Sequence, residues 1–149
     1  MKKKVLAVVS ASLSLLLAAV LVSSAAAAPN PTNPFSGRWY SYDGHDGSYQ
    51  TMTIGGADGH FRVTLYDTGA DSCTDADFDL SVAGIVTGMF SRDGNTITGS
   101  VTLRCLASPS FTQGPFDDRS FTYHDGTGRL TDNFGDDTMW CRMDDPTCS

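Results

Sequence analysis

Past residue 35 the chain alternates apolar and polar positions in short runs, and glycine-rich turns separate each run from the next. In "FRVTLYD" (61–67), Phe61, Val63 and Leu65 take one face and Arg62, Thr64 and Tyr66 the other. That period of two marks a half-buried strand. "TITGSVTLRCL" (96–106) repeats it, with Ile97, Val101, Leu103 and Cys105 set against Thr96, Thr98, Ser100, Thr102 and Arg104. The same reading places strands at 38–43, 49–54, 80–91, 119–124, 129–132 and 138–143. Asp-Gly recurs at 46–47, 58–59, 93–94 and 125–126, and this dipeptide suits the positive φ that tight hairpins need. Eight short strands in sequence order predict an all-β domain. The expected form is a single antiparallel, about eight-stranded up-and-down barrel, with a β-sandwich as the alternative. Closure would remove the unpaired edges of such a sheet. Gly84, Gly88 and Gly99 fall inside strands, where a bending wall or a close backbone approach favours glycine.

The first residues are of another kind. "MKKK" is a basic start, Val5 to Val22 is an apolar run, and Ala25 to Ala28 offers small residues for cleavage. Together these read as a secretory signal peptide over 1–27, helical in its apolar part, with an uncleaved membrane anchor as the alternative. Cleavage is expected after Ala27, or after Ala28 with Pro29 next. A Pro-rich linker over 28–34 contains "PNPTNP", and one barrel domain over 35–149 follows. No Cys lies near the cleavage region to accept a lipid. The expected product is secreted and extracellular, free of the membrane after cleavage.

Losing the leader changes the charge. All three Lys lie within residues 2–4, so the remainder carries seven Arg against 17 Asp, a formal net charge of −10, with no Lys and no Glu. Such a chain is soluble and repels nucleic acid and anionic membranes, which excludes both partner classes. Its Gly, Thr, Ser and Asp content favours turns and strand surfaces over helix interiors.

The exported context changes the reading of Cys73, Cys105, Cys141 and Cys148. An even number outside the cytosol implies disulfides, for which three connectivities exist. The preferred pairing joins Cys73, in a loop after the third strand, to Cys105, and Cys141 to Cys148 in the tail. No C-x-x-C pair supports a zinc or thioredoxin-like centre.

Candidate chemistry is sparse. Asp43, His45 and Asp46 crowd into "DGHDGS", and His60 and His124 sit beside other turns. Each His adjoins Gly or Asp in an expected solvated turn, no nucleophile elbow or His-x-x-x-His pair occurs, and no Cys is spare once four are paired. No catalytic residue, and no enzyme, is expected. Asp75, Asp77 and Asp79 alternate as calcium ligands can. Against a calcium loop, Leu80 stands where an EF-hand type would want Gly, and Val86 where it would want Glu. No cofactor is expected.

Gly37-Arg38-Trp39 at the start of the first strand resembles the G-x-W signature of calycin-type barrels, the lipocalin and avidin-like group. In that group the Trp closes one end of the barrel, and in lipocalins an Arg near the end of the last strand packs across it. The resemblance implies structural roles for Gly37, Trp39 and Arg142. The other lipocalin motifs and the C-terminal helix are missing. The longer phrases "GRWYSYDGHDGSYQTMTI" and "VTLYDTGADSC" resemble a group of small exported bacterial proteins of unknown role. The function expected is structural or protein-interacting, carried by a monomer. A carrier of a small apolar ligand is the alternative, with Trp39, Tyr40, Tyr42, Tyr123 and Trp140 as its candidate contacts. A secreted protease inhibitor using the N-terminal arm is a second alternative. The inward rows from Trp39 to Tyr123 would fill most of the interior. Gaps left by Gly84, Gly88 and Gly99 are expected to make any small pocket at one end.

Overall fold

The computed structural model of the chain describes residues 33–57, 59–75, 80–108, 110–135 and 138–148. The expected signal peptide and most of the expected linker therefore lie outside the described residues. Eight strands follow in order: β1 (Gly37–Tyr42), β2 (Tyr49–Ala57), β3 (His60–Asp75), β4 (Leu80–Asp93), β5 (Thr96–Cys105), β6 (Thr112–His124), β7 (Arg129–Asp132) and β8 (Met139–Arg142). Each pairs antiparallel with the next, and β8 returns to β1 through Trp39↔Arg142 and Tyr40↔Cys141. The result is the expected closed antiparallel barrel.

Two strands run well past their expected ends. β3 continues through Asp75, so Cys73 lies in a strand and not in a loop; β6 begins at Thr112, seven residues earlier than the pattern indicates. Both extensions contain irregular pairing. The β3–β4 register shifts between Asp67 and Ala70 and again before Thr74, and the β5–β6 register shifts on either side of Val101. An extra residue in one strand reverses the facing of everything after it. Alternation is lost there although the strand continues.

The inward rows pack as the pattern predicts over one half of the barrel. Trp39, Met52, Ile54, Phe61, Val63 and Phe90 are buried, as are Ile97, Val101, Leu103 and Phe121. Phe35, Leu130 and Trp140 join them. The rings make two sets of contacts, one with Phe35–Phe61 centroids 5.7 Å apart and one with Phe90–Phe121 at 5.5 Å and Phe121–Trp140 at 6.4 Å. Such tilted arrangements are the favoured ones for aromatic pairs.

The glycines inside strands do not leave gaps. A Cβ on Gly99 would overlap the Met89 carbonyl oxygen, and one on Gly88 the Ser100 carbonyl. Those sites are filled by neighbouring backbone. Gly84 serves the disulfide: Cys73 on β3 and Cys105 on β5 are bonded across β4, both buried. A Cβ on Gly84 would stand 3.3 Å from Cys73 Sγ and 2.8 Å from Leu103 Cδ1. The second bond joins Cys141 on β8 to Cys148 in the tail. Both expected pairings are therefore present.

Candidate ligand-binding site at the open end

The two ends of the barrel are built differently. At the end where β1 starts, Trp39 is fully buried and its Nε1 donates to the Phe35 carbonyl at 2.9 Å. The Arg142 guanidinium lies over the Trp39 ring, 4.5 Å from its centroid. Its Nη2 and Nη1 donate to the carbonyls of Pro34 (2.6 Å) and Ser36 (3.2 Å). Gly37 has φ +145, and a Cβ there would meet Arg142 Nη1 at 2.7 Å. Gly37, Trp39 and Arg142 thus meet in one plug, and the segment before β1 is strapped across it. Asn33 extends the strap, its Nδ2 donating to the Gly56 carbonyl at 3.1 Å.

The other end holds a cavity of about 430 Å³. Its buried wall includes Leu65, Val101, Leu103 and Trp140, with half-buried Val86 and Phe116 beside them. Polar groups stand around this apolar wall. Gln50 and Asp67, paired across β2 and β3, are buried at 7% and 9% exposure. Gln50 Nε2 donates to Asp67 Oδ2 and to Asp43 Oδ2, both at 3.1 Å. Asp67 Oδ1 also accepts from Ser48 Oγ (2.8 Å) and Gly69 N (2.9 Å). On the far side Asp132 Oδ2 accepts from Trp140 Nε1 at 2.6 Å, and Oδ1 from Phe134 N at 2.9 Å. Burying these carboxylates is tolerable because each collects several donors.

Arg119 completes the wall from β6. Its guanidinium stands 5.8 Å from the Phe116 ring and 5.5 Å from the Phe134 ring, and Nη1 donates to the Asn133 carbonyl at 3.3 Å. Nε is buried without an acceptor among the described residues. Regular alternation would send Phe116 and Arg119 to opposite faces. The irregular β5–β6 pairing, with Asp118 at φ 56, brings both to the cavity.

The expected contact residues do not share one wall. Trp39 belongs to the plug, and Tyr123 packs near it, 6.1 Å from Phe35. Tyr40 and Tyr42 stand outside the barrel, each against Tyr49. Tyr42 is 65% exposed, and the Tyr40 hydroxyl donates to the Cys148 carbonyl. Trp140 alone among the five lines the cavity. "DGHDGS" forms the expected turn, closed by Gly47 N on the Asp43 carbonyl at 2.9 Å, yet this turn brings Asp43 and His45 to the cavity mouth. Asp46 Oδ1 caps Ser48 N at 2.7 Å. His60 and His124 lie at the plugged end, so the three histidines do not gather; His124 Nε2 meets Thr131 Oγ1 at 2.9 Å. Of the calcium candidates, Asp77 and Asp79 lie outside the described residues, and Asp75 ends β3 opposite Leu80. Among the described residues no group of three His, Cys, Asp or Glu side chains is placed to hold a metal ion.

Gln50, Asp67 and Asp132 carry a signal in the sequence that strand assignment passes over. Each continues an inward row whose other members are apolar: Ile54 and Met52 before Gln50, Val63 and Leu65 before Asp67, Leu130 before Asp132. A polar residue at an inward position marks the level at which the core stops. No family model, no curated protein and no solved structure matches the chain.

Proposed function

We propose that this chain is an exported binding protein that takes a small amphipathic molecule into the open end of its barrel and does no chemistry on it. The observation that carries the reading is the inequality of the two ends, one stoppered by Trp39 and Arg142, the other holding about 430 Å³ of lined space. That volume lies in the range of small-molecule sites, and a mostly apolar wall with a few fixed polar groups is their usual make-up. Two buried disulfide-bonded pairs support an oxidising compartment outside the cytosol. The outward rows, such as Arg62, Thr64 and Thr98, are exposed and polar, the reverse of a lipid-facing barrel band, which supports a protein free in water. The meeting of Gly37, Trp39 and Arg142 supports a calycin-type carrier. Asp43 and Asp67 are engaged by fixed neutral donors, an arrangement that serves recognition better than proton transfer.

Native mass spectrometry of protein from its own medium tests this. The parent is expected to carry one small added mass, and Val86→Trp, which fills the cavity, to lose it. A parent that flies without added mass and takes up no small aromatic compound would end the carrier reading.

A second reading, contact with another protein, is favoured by exposed Tyr42 and Met139, with half-buried Tyr49 beside Tyr42, outside β1, β2 and β8. Cross-linking in the native medium that is lost in Tyr42→Asp, with the cavity ligand retained, would favour contact over carriage.

A further inference from the structure

We infer that the open end selects an organic cation, an amine joined to an apolar body. The inference rests on the cavity binding a small molecule at all and adds the charge of that molecule. Gln50 fixes it. Its side-chain amide faces two carboxylate oxygens, Asp43 Oδ2 and Asp67 Oδ2, at equal distances of 3.1 Å. Only the amino group can donate to both, so the orientation of the amide is determined by its partners. The carbonyl oxygen Oε1 is then the free end. Gln50 is more than nine-tenths buried and lines the cavity, and the hydrogen bonds of its side chain among the described residues are the two that its amino group donates.

One wall is therefore made of acceptors: Gln50 Oε1 and the carboxylates of Asp43 and Asp67. The groups that meet the carboxylates are the Gln50 amide, the Ser48 hydroxyl and backbone N–H groups of His45 and Gly69, all neutral. Two formal negative charges stand on either side of one amide. A neutral hydroxyl could meet one acceptor, but an ammonium carries three donors and the balancing charge. An anion would meet repulsion from this wall and from the net charge of the chain. Of the basic side chains in the lining, Arg119 is held on β6 by Phe116, Phe134 and the Asn133 carbonyl, with its Nε left unmet among the described residues, and His45 stands at the mouth beside Asp43. Leu65, Val86 and Leu103 supply the apolar surface for the body of the ligand.

Three probes with one indole body and different heads, tryptamine, tryptophol and indole-3-propionate, test this by calorimetric titration of the full exported chain. Tryptamine is expected to bind about tenfold tighter than tryptophol, with the acid weakest. Asp67→Asn should reduce tryptamine affinity about tenfold and leave tryptophol within about twofold. Half-exposed Asp43→Asn should act in the same direction and serves if the Asp67 variant does not fold. Equal binding of the three probes would leave the cavity reading standing and overturn the preference for a cation. Tightest binding of the acid would overturn it in favour of Arg119. Binding of none would overturn both readings.

Discussion

The plugged end and the open end of this barrel use the same eight strands to opposite effect. At the plugged end β2–β3 and β4–β5 turn within two residues, with Ala57 paired to His60 and Asp93 to Thr96. Short turns hold the strands together and aromatic rings fill what remains. At the open end β3 and β6 run on through shifted registers, and the disulfide between Cys73 and Cys105 ties the wall in a small second cluster with Ala70 and Leu103. Regular pairing makes a solid here, and space appears where pairing is broken. Stability is thus expected to reside at one end and recognition at the other.

Trp39→Ala should test that division most severely. Cavity formation is expected to cost about 3–5 kcal/mol in a denaturant melt, while the fraction still folded keeps its affinity for ligand. Unchanged stability would show that the plug is not what holds the barrel together. The disulfides come next. Removing the Cys73–Cys105 bond, which spans 32 residues, should cost about 3–4 kcal/mol, and removing Cys141–Cys148, which spans 7, about 2–3 kcal/mol. Of the two, the Cys73→Ser/Cys105→Ser variant alone should also lose ligand affinity, and equal loss in both would erase the difference between the ends.

Trp140→Phe makes a finer cut, because it keeps a ring at the cavity wall and deletes the donor to Asp132. A loss of about 1–3 kcal/mol is expected, with weaker ligand binding in titration. A neutral result would mean that Asp132 needs no donor from Trp140. The smallest effect belongs to the tail beside the plug. The Thr147 hydroxyl and then its backbone N–H hold the Asp145 carboxyl below its ordinary value, against a small opposing push from burial and with help from Arg129. Because the folded value is the lower one, this contribution is present above the ordinary carboxylate value and fades as pH falls through the folded value. In an NMR titration Thr147→Val should move Asp145 upward; an unmoved value would show a tail not ordered by that contact.

Much of the plugged end was legible in the sequence, though Phe35 and Leu130 were not among the residues read as inward. Alternation located Met52, Phe61, Val63 and Ile97, and Gly37, Trp39 and Arg142 marked the stopper. The open end was less legible, for a physical reason. Strand reading relies on a period of two, and "TGADSCTD" and "TQGPFDD" break it where the registers of β3 and β6 shift. Phe116 and Arg119 therefore gave no sign of facing one space. "DGHDGS" was readable as a turn from its own residues, but its place beside Asp67 depends on pairing 19 residues away, from Ser48 to Asp67. The inward rows that end in Gln50, Asp67 and Asp132 held the missing information as exceptions to a rule.

The seam between β1 and β8 sets an order of events on the growing chain. Synthesis proceeds from the N-terminus, so Trp39 emerges 103 residues before Arg142, its cover. Until Met139–Arg142 is released, the sheet has two bare margins, one along β1 and one along β7. Bare margins invite pairing between chains. A product that stops before Met139 would keep most of its core sequence and yet be an open ribbon prone to aggregation.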